Sequence, residues 1–367
     1  MKFLFLSSYA HLILDPESTK VSGGAELQIA LLAHMLAQRS HEVVVIGGDS
    51  GQQDGRVLQG VKTRTGGKFH TGNPLDTLLA LPRVFQLLRE ERPDYVFLLG
   101  WTAWLYVLLL FRSFFGYKLG FICGLDTELN GEFRKANPIR GAMFEYAVKH
   151  CNLRYAMTED QRAMFHKNGQ SCGFYRNLIL SRNTVRDPNK SVDLLWVARC
   201  QPIKQPHLFL DIAESMPEVS CEMICPCEDQ ALWESVRDRA AKLSNVTFHN
   251  GIPYHEVQAH YDAARLFINT SEFEGWPNSF IQSGLGHTAI ASLSVNPDHL
   301  LETYRAGGFA NHKVDALKKI IYTLLNDSVL MAQSQAEAAR FVEELHSNDK
   351  NTDDFLAGLS SKNFSRP

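Results

Sequence analysis

This chain shows no membrane-spanning run, no paired metal-ligand spacing and no strong net charge. The longest apolar tract of its 367 residues runs from Tyr95 to Phe111 and is interrupted by Gly100 and Thr102. It falls short of the roughly 20 residues that a spanning helix needs. Tyr95–Leu99 reads instead as a strand, with a helix after the glycine. Met1-Lys2 leads directly into Phe3-Leu4-Phe5-Leu6, too short for a secretory apolar segment and suited to a first buried strand. The seven cysteines are irregularly spaced and form no CxxC pair, which argues against a structural zinc site and against a disulfide framework. Cys225-Pro-Cys227 reads as buried thiol at a strand end, and reduced cysteines point to the cytoplasm. None of the fourteen histidines forms HExxH, and His255 and His260 are five apart and share no helix face. There is neither a Gly-x-Ser-x-Gly elbow nor a Walker lysine. A formal charge of −3 argues against a nucleic-acid partner. The charge is unevenly spread, with 20 Lys/Arg against 16 Asp/Glu in residues 1–180 and 17 against 24 in the remainder. A mildly basic N-terminal half fits an anionic membrane surface as well as ordinary scatter.

What is present is a repeated alternation of apolar strands and amphipathic helices in a chain long enough for two domains. In the first half the strands read as Lys2–Tyr9, Glu42–Gly47, Asp94–Leu99, Tyr117–Cys123, Leu153–Met157 and Gly173–Arg176. The helices read as Ala25–Ser40, Leu75–Glu91, Arg140–His150 and Glu159–Lys167. The polar stretch 181–191 is the candidate linker, after which the alternation restarts at Asp193–Ala198 and runs to the helices Val314–Leu325 and Val329–Leu345. This predicts an α/β protein of two doubly wound, Rossmann-like domains, 1–180 and 192–346, facing a central cleft. Residues 347–367 read as a loose polar tail.

Four segments at strand ends carry charge or glycine. Ser271-Glu272-Phe273-Glu274-Gly275-Trp276-Pro277-Asn278-Ser279 follows one apolar run and opens a helix, with Gln282 further along. Backbone N–H groups at a helix start attract phosphate, and a carboxylate placed among them suits sugar hydroxyls. Asn278 and Ser279 add neutral donors. Arg199 and Lys204 lie five residues apart after the first strand of the second half, where two cations can converge on a diphosphate. Gly23-Gly24 opens the first long helix and lets the backbone approach a ligand closely. Asp126, Glu128 and Glu132 follow another strand; Asp126 or Glu128 could bind hydroxyls or take a proton, and a solvated loop is the equal alternative. Asn296-Pro297-Asp298 reads as a plain helix start.

The segment from Glu274 to Gln282 resembles the C-terminal signature of the retaining family 4 glycosyltransferases, which have the GT-B fold. That signature carries two glutamates with seven residues between them; here the first is Glu274 and Gln282 stands at the second. The Arg199/Lys204 pair and the glycine loop are similar to the family's in place, with Gln205 where glycine usually follows the lysine. The histidine many members carry near residues 123–134 is missing. The resemblance implies transfer of a hexose from a UDP- or GDP-linked donor, with retention, to a glycan or lipid-linked acceptor in cell-surface polysaccharide synthesis. It implies catalytic roles for Arg199, Lys204 and Glu274. Donor contacts would come from these three with Gly23, Gly24, Gly275, Pro277, Asn278, Ser279 and Gln282, and acceptor contacts from Asp126 and Glu128. No metal or other cofactor is expected, because fixed cations meet the charge on the leaving phosphate. A degenerate, non-catalytic binding protein and another GT-B enzyme such as a nucleotide-sugar epimerase are the alternatives. Trp101, Trp104, Tyr106, Phe111, Phe114 and Phe115 beside Arg112 and Lys118 motivate a peripheral contact with the inner face of the membrane.

Overall fold

A computed structural model describes residues 1–18, 23–69, 74–180 and 190–360. It divides into two compact units, Met1–Leu180 with Asn348–Pro367, and Ser181–Ser347. Most of the expected linker, residues 181–189, lies outside the described residues.

In the first unit the strands are β1 (Lys2–Leu6), β2 (Glu42–Gly47), β3 (Val57–Leu58), β4 (Val61–Thr65), β5 (Tyr95–Leu99), β6 (Lys118–Ile122), β7 (Leu153–Ala156) and β8 (Gly173–Phe174). They form one sheet in the order β3-β4-β2-β1-β5-β6-β7-β8, parallel except for the β3–β4 pair. Continuous apolar runs such as Phe3-Leu4-Phe5-Leu6 are buried because helices cover both faces of a parallel sheet. Those helices are α1 (Ala10–Leu14), α2 (Gly24–Gln38), α3 (Pro74–Glu91), α4 (Trp104–Phe115), α5 (Glu132–Ala136), α6 (Pro138–His150) and α7 (Glu159–Lys167). Local signals set their ends: the Thr158 hydroxyl accepts from the Gln161 amide to start α7, and Gly116, at φ 74°, stops α4.

The second unit has β9 (Val192–Val197), β10 (Cys221–Ile224), β11 (Val246–His249), β12 (Ala264–Asn269), β13 (Ala289–Ser292) and β14 (Gly307–Phe309). Their order is β11-β10-β9-β12-β13-β14 and every pair is parallel. The helices are α8 (Pro206–Glu214), α9 (Gln230–Ala240), α10 (Val257–Ala263), α11 (Asn278–Leu285), α12 (Leu300–Tyr304), α13 (Val314–Asn326) and α14 (Ser328–Leu345). Strand order reverses between β9 and β12, and that is where an open α/β sheet of this order forms its ligand crevice.

Three readings are corrected. The segment after Ser347 is no loose tail: it carries α15 (Asn348–Ser360), which belongs to the first unit. Phe355 is fully buried against the rings of Tyr155, Phe97 and Tyr175, and the Tyr155 hydroxyl donates to its carbonyl at 2.9 Å. The Asn348 side chain exchanges two 2.8 Å hydrogen bonds with the Ile179 backbone, and Arg39 pairs with Asp349 and Asp353 at 3.0 Å. Of Cys225 and Cys227 only the first is buried. Trp104 is also buried, edge-on to Phe69, and takes no part in an exposed aromatic surface.

Replacing Phe355 by alanine removes a whole ring from a closed site. The expected loss is about 3–5 kcal/mol of stability, read as a lower midpoint in urea unfolding followed by circular dichroism.

Candidate active site

The loops that leave β9 and β12 are joined at their bases. Thr270, the first residue after β12, accepts a hydrogen bond from Trp196 Nε1 at 2.8 Å and donates to the Lys204 carbonyl at 2.6 Å. The Glu272 amide donates to the Ile203 carbonyl at 2.9 Å, and Gln205 Nε2 donates to Glu272 Oε1 at 3.0 Å. Gln205 lies in the left-handed region at φ 49° and ψ 54°. A glycine would sit there without strain, so the crosslink to Glu272 compensates for a side chain in a conformation that favours glycine.

This stitching brings Lys204 and Glu274 together. Lys204 Nζ lies 3.1 Å from Glu274 Oε2, and each side chain is about one-fifth exposed (18% and 19%). The other carboxylate oxygen accepts from Asn269 Nδ2 at 3.0 Å, while Asn269 Oδ1 accepts from the Ser271 amide at 3.1 Å. Asn269 is buried at the end of β12 and orients the carboxylate with a neutral donor. Pro277 is the N-cap of α11, and its side chain makes no capping hydrogen bond. Asn278, Ser279 and Gln282 are partly exposed on α11, while Gly275 and Pro277 are buried. The Gln282 carbonyl accepts from Gln258 Nε2 at 3.0 Å.

Arg199 departs from the expected arrangement. Its guanidinium pairs with Glu228 at 2.8 Å, and Glu228 also accepts from Gln201. The cause is a second joint: the backbone at Cys200 pairs with that at Cys227 in a parallel β-bridge, and the Cys200 carbonyl accepts from the Asp229 amide at 3.1 Å, which draws the loop after β10 alongside Arg199. Among the described residues no hydrogen bond or ion pair links Arg199 to Lys204 or Glu274.

In the first unit Gly23 is the N-cap of α2 at φ −86° and Gly24 begins the helix; Val21 and Ser22 lie outside the described residues. Asp126 is partly exposed in the turn after β6 and accepts from Gln161 Nε2 at 3.0 Å. Burial, with Asp160 and Glu132 nearby, raises its carboxyl above the usual range, against the hydrogen bond from Gln161. Glu128 is not available to an acceptor as expected. It is buried, and its oxygens accept from the amides of Trp101 at 2.6 Å, Gly124 at 2.8 Å and Leu125 at 3.3 Å. It staples the loop after β5 to the loop after β6. Burial pushes its carboxyl up to about 7 despite the three N–H partners.

Comparison with solved structures shows which fold this is. Sucrose-phosphate synthase from Thermosynechococcus elongatus superposes with a TM-score of 0.79 at 14% identity, over 97% of this chain and 98% of that one. Anabaena Alr3699/HepE in complex with UDP gives 0.74 at 16% identity, over 98% and 100%. An α,α-trehalose-phosphate synthase (UDP-forming) from Burkholderia vietnamiensis gives 0.71 at 12% identity, over 98% and 99%. Residues 22–171 match the family described as Glycosyltransferase Family 4. The chain has the GT-B fold, and part of its first unit matches the family 4 glycosyltransferases. No curated protein matches it by sequence.

The residues not foreseen from the sequence are those that hold others: Asn269, Thr270, Glu272 and Glu228. Asn269 closes an apolar strand directly before the acidic turn, and that was the available signal. The other three depend on partners from distant loops.

The Glu128 staple has a pH signature. An acid raised in the folded state contributes its full stabilisation below the unfolded value near 4.5 and loses it as pH rises through about 7. Against a Glu128→Gln variant, wild type should therefore lose ground between pH 4.5 and 7, by about 3 kcal/mol at most. Urea unfolding at a series of pH values measures the difference, and a flat difference contradicts it.

Proposed function

We propose that the protein is a retaining hexosyltransferase that uses a UDP- or GDP-linked donor and needs no metal for the transfer. The observation that carries this reading is the Lys204–Glu274 pair, held at the ends of β9 and β12 beside the start of α11. Lys204 would meet the β-phosphate as the glycosidic bond breaks, and the N–H groups that open α11 would add to the positive field there. Glu274 would accept hydrogen bonds from donor-sugar hydroxyls, with Asn269 keeping its carboxylate in place. Arg199 would join Lys204 by exchanging Glu228 for phosphate, a stronger bidentate partner. Gln282 would reach the ribose with an amide in place of a charge, and Gly23 and Gly24 would leave room for the diphosphate. The front-face course proposed has the leaving phosphate assist deprotonation of the acceptor, with Asp126 near acceptor hydroxyls. UDP in the HepE complex and the UDP-forming synthase support a uridine donor.

The acceptor we propose is a glycan or a lipid-linked sugar of surface-polysaccharide synthesis, reached from the cytoplasmic side of a membrane. Among the described residues no helix is long and apolar enough to cross a membrane. Surface contact has support on the outer sides of α3, α4 and α6, whose inner sides share one core. There Leu75, Leu78 and Leu79, then Leu110 and Phe114, then Ile139, Met143 and Tyr146 are exposed. Arg89, Arg140 and Lys149 are exposed on the same helices. Apolar side chains flanked by cations suit anionic lipid.

Donor hydrolysis and transfer with UDP- and GDP-sugars test the reaction. Glu274→Ala and Lys204→Ala should each lower turnover by about 100-fold or more, as removing a fixed transition-state partner does. Equal background turnover in wild type and both variants would leave a binding protein. For the surface, wild type should co-float with anionic vesicles at low salt. A Leu110→Glu/Phe114→Glu variant should float several-fold less with unchanged donor hydrolysis; equal flotation overturns the contact.

A further inference from the structure

The sheet of the second unit ends, on the side away from β12, in the pair β10–β11, and one residue there breaks the apolar pattern. β10 is buried throughout, yet its second residue is Glu222, with a side chain only 10% exposed. Glu222 is in register with Thr247, so His249, two residues further along β11, lies on the same face. α10 packs over this sheet and adds His260. His249 Nε2 and His260 Nδ1 each lie 2.8 Å from the same oxygen, Glu222 Oε1. The two rings are 5.4 Å apart at an angle of 64°, so they converge on the carboxylate from different directions.

A carboxylate this deep needs a charge partner or several hydrogen bonds. Among the described residues no lysine or arginine pairs with Glu222; its two partners are imidazoles. Neutral imidazoles offer one N–H each, and both are spent on one oxygen. A divalent ion would resolve the imbalance. Two imidazole nitrogens and one carboxylate oxygen, all within 4.8 Å of one another, form a donor set suited to zinc and related borderline ions. Bonds of about 2.1 Å in a tetrahedral site place donor atoms roughly 3.4 Å apart, so Glu222 would have to move back from each ring by about half an ångström. The histidine side chains are 31% and 25% exposed, which leaves a water access to the fourth position.

We propose that Glu222, His249 and His260 bind one divalent transition-metal ion of the zinc class, which ties the edge strand β11 and the helix α10 to β10. None of the three belongs to the loops after β9 and β12, so the ion is structural and distinct from the transfer reaction. The ligands come from three elements at positions 222, 249 and 260, which no local spacing motif reveals.

Titration of metal-stripped full-length protein with zinc chloride, followed by calorimetry, tests the site. One equivalent should bind. His249→Gln and His260→Gln should each weaken binding at least about tenfold, and the double variant should abolish it. Cobalt(II) in the same site should give tetrahedral visible bands without a thiolate charge-transfer band. Zinc should raise the thermal midpoint of wild type, and a chelator should reverse the rise; this wild-type readout stands even where a variant folds poorly. No saturable zinc binding, equal binding by the double variant, or a thiolate band that assigns the ion to cysteine would each overturn the proposal.

Discussion

The hydroxyl of Thr270 is the joint on which the site depends. It is almost wholly buried, and it accepts from Trp196 at the end of β9 while donating to the Lys204 carbonyl. β9 and β12 are neighbours in the sheet although two other strands and three α-helices separate them in the chain. The hydroxyl turns that adjacency into a fixed distance between two loops. Lys204 and Glu274 can then meet without either being fully buried, which limits the desolvation cost of each charge.

The charges around this joint are arranged in compensated pairs. Lys204 pairs with Glu274, and Arg199 with Glu228. Such partners hold each cation at a fixed place in its loop. Glu128 uses carboxylate chemistry differently. Its oxygens satisfy three backbone amides and join two loops, so an acidic residue in a loop after a strand acts as a fastener.

Much of the fold was legible because a parallel sheet under two helical layers writes itself as apolar runs separated by amphipathic stretches. Glu42–Gly47 and Glu159–Lys167 were legible to the residue. The β3–β4 pair was missed because two and five residues with few apolar positions leave no clear period. α15 was missed because its buried face includes Asn351 and Thr352 beside Phe355 and Leu359, so half of the stripe is polar. In the site, the acidic turn, the lysine and the helix start were visible as residue types at strand ends. The diversion of Arg199 to Glu228 was not, because it follows from backbone pairing between the loops at Cys200 and Cys227.

Local order of residues was therefore enough to specify most of the elements, the parallel core of the two sheets and the loops that carry glycine, cation and carboxylate. Periodicity and turn chemistry act over a few residues and leave their mark in any short window. The environment of each charged group was settled by folding alone: Glu128 sealed under backbone amides, Glu274 partly buried against Asn269, and Glu222 facing two histidines. All three are the same residue in sequence. What separates them is how much water each retains and which distant donors reach it, and both are properties of neighbours brought together by the sheet.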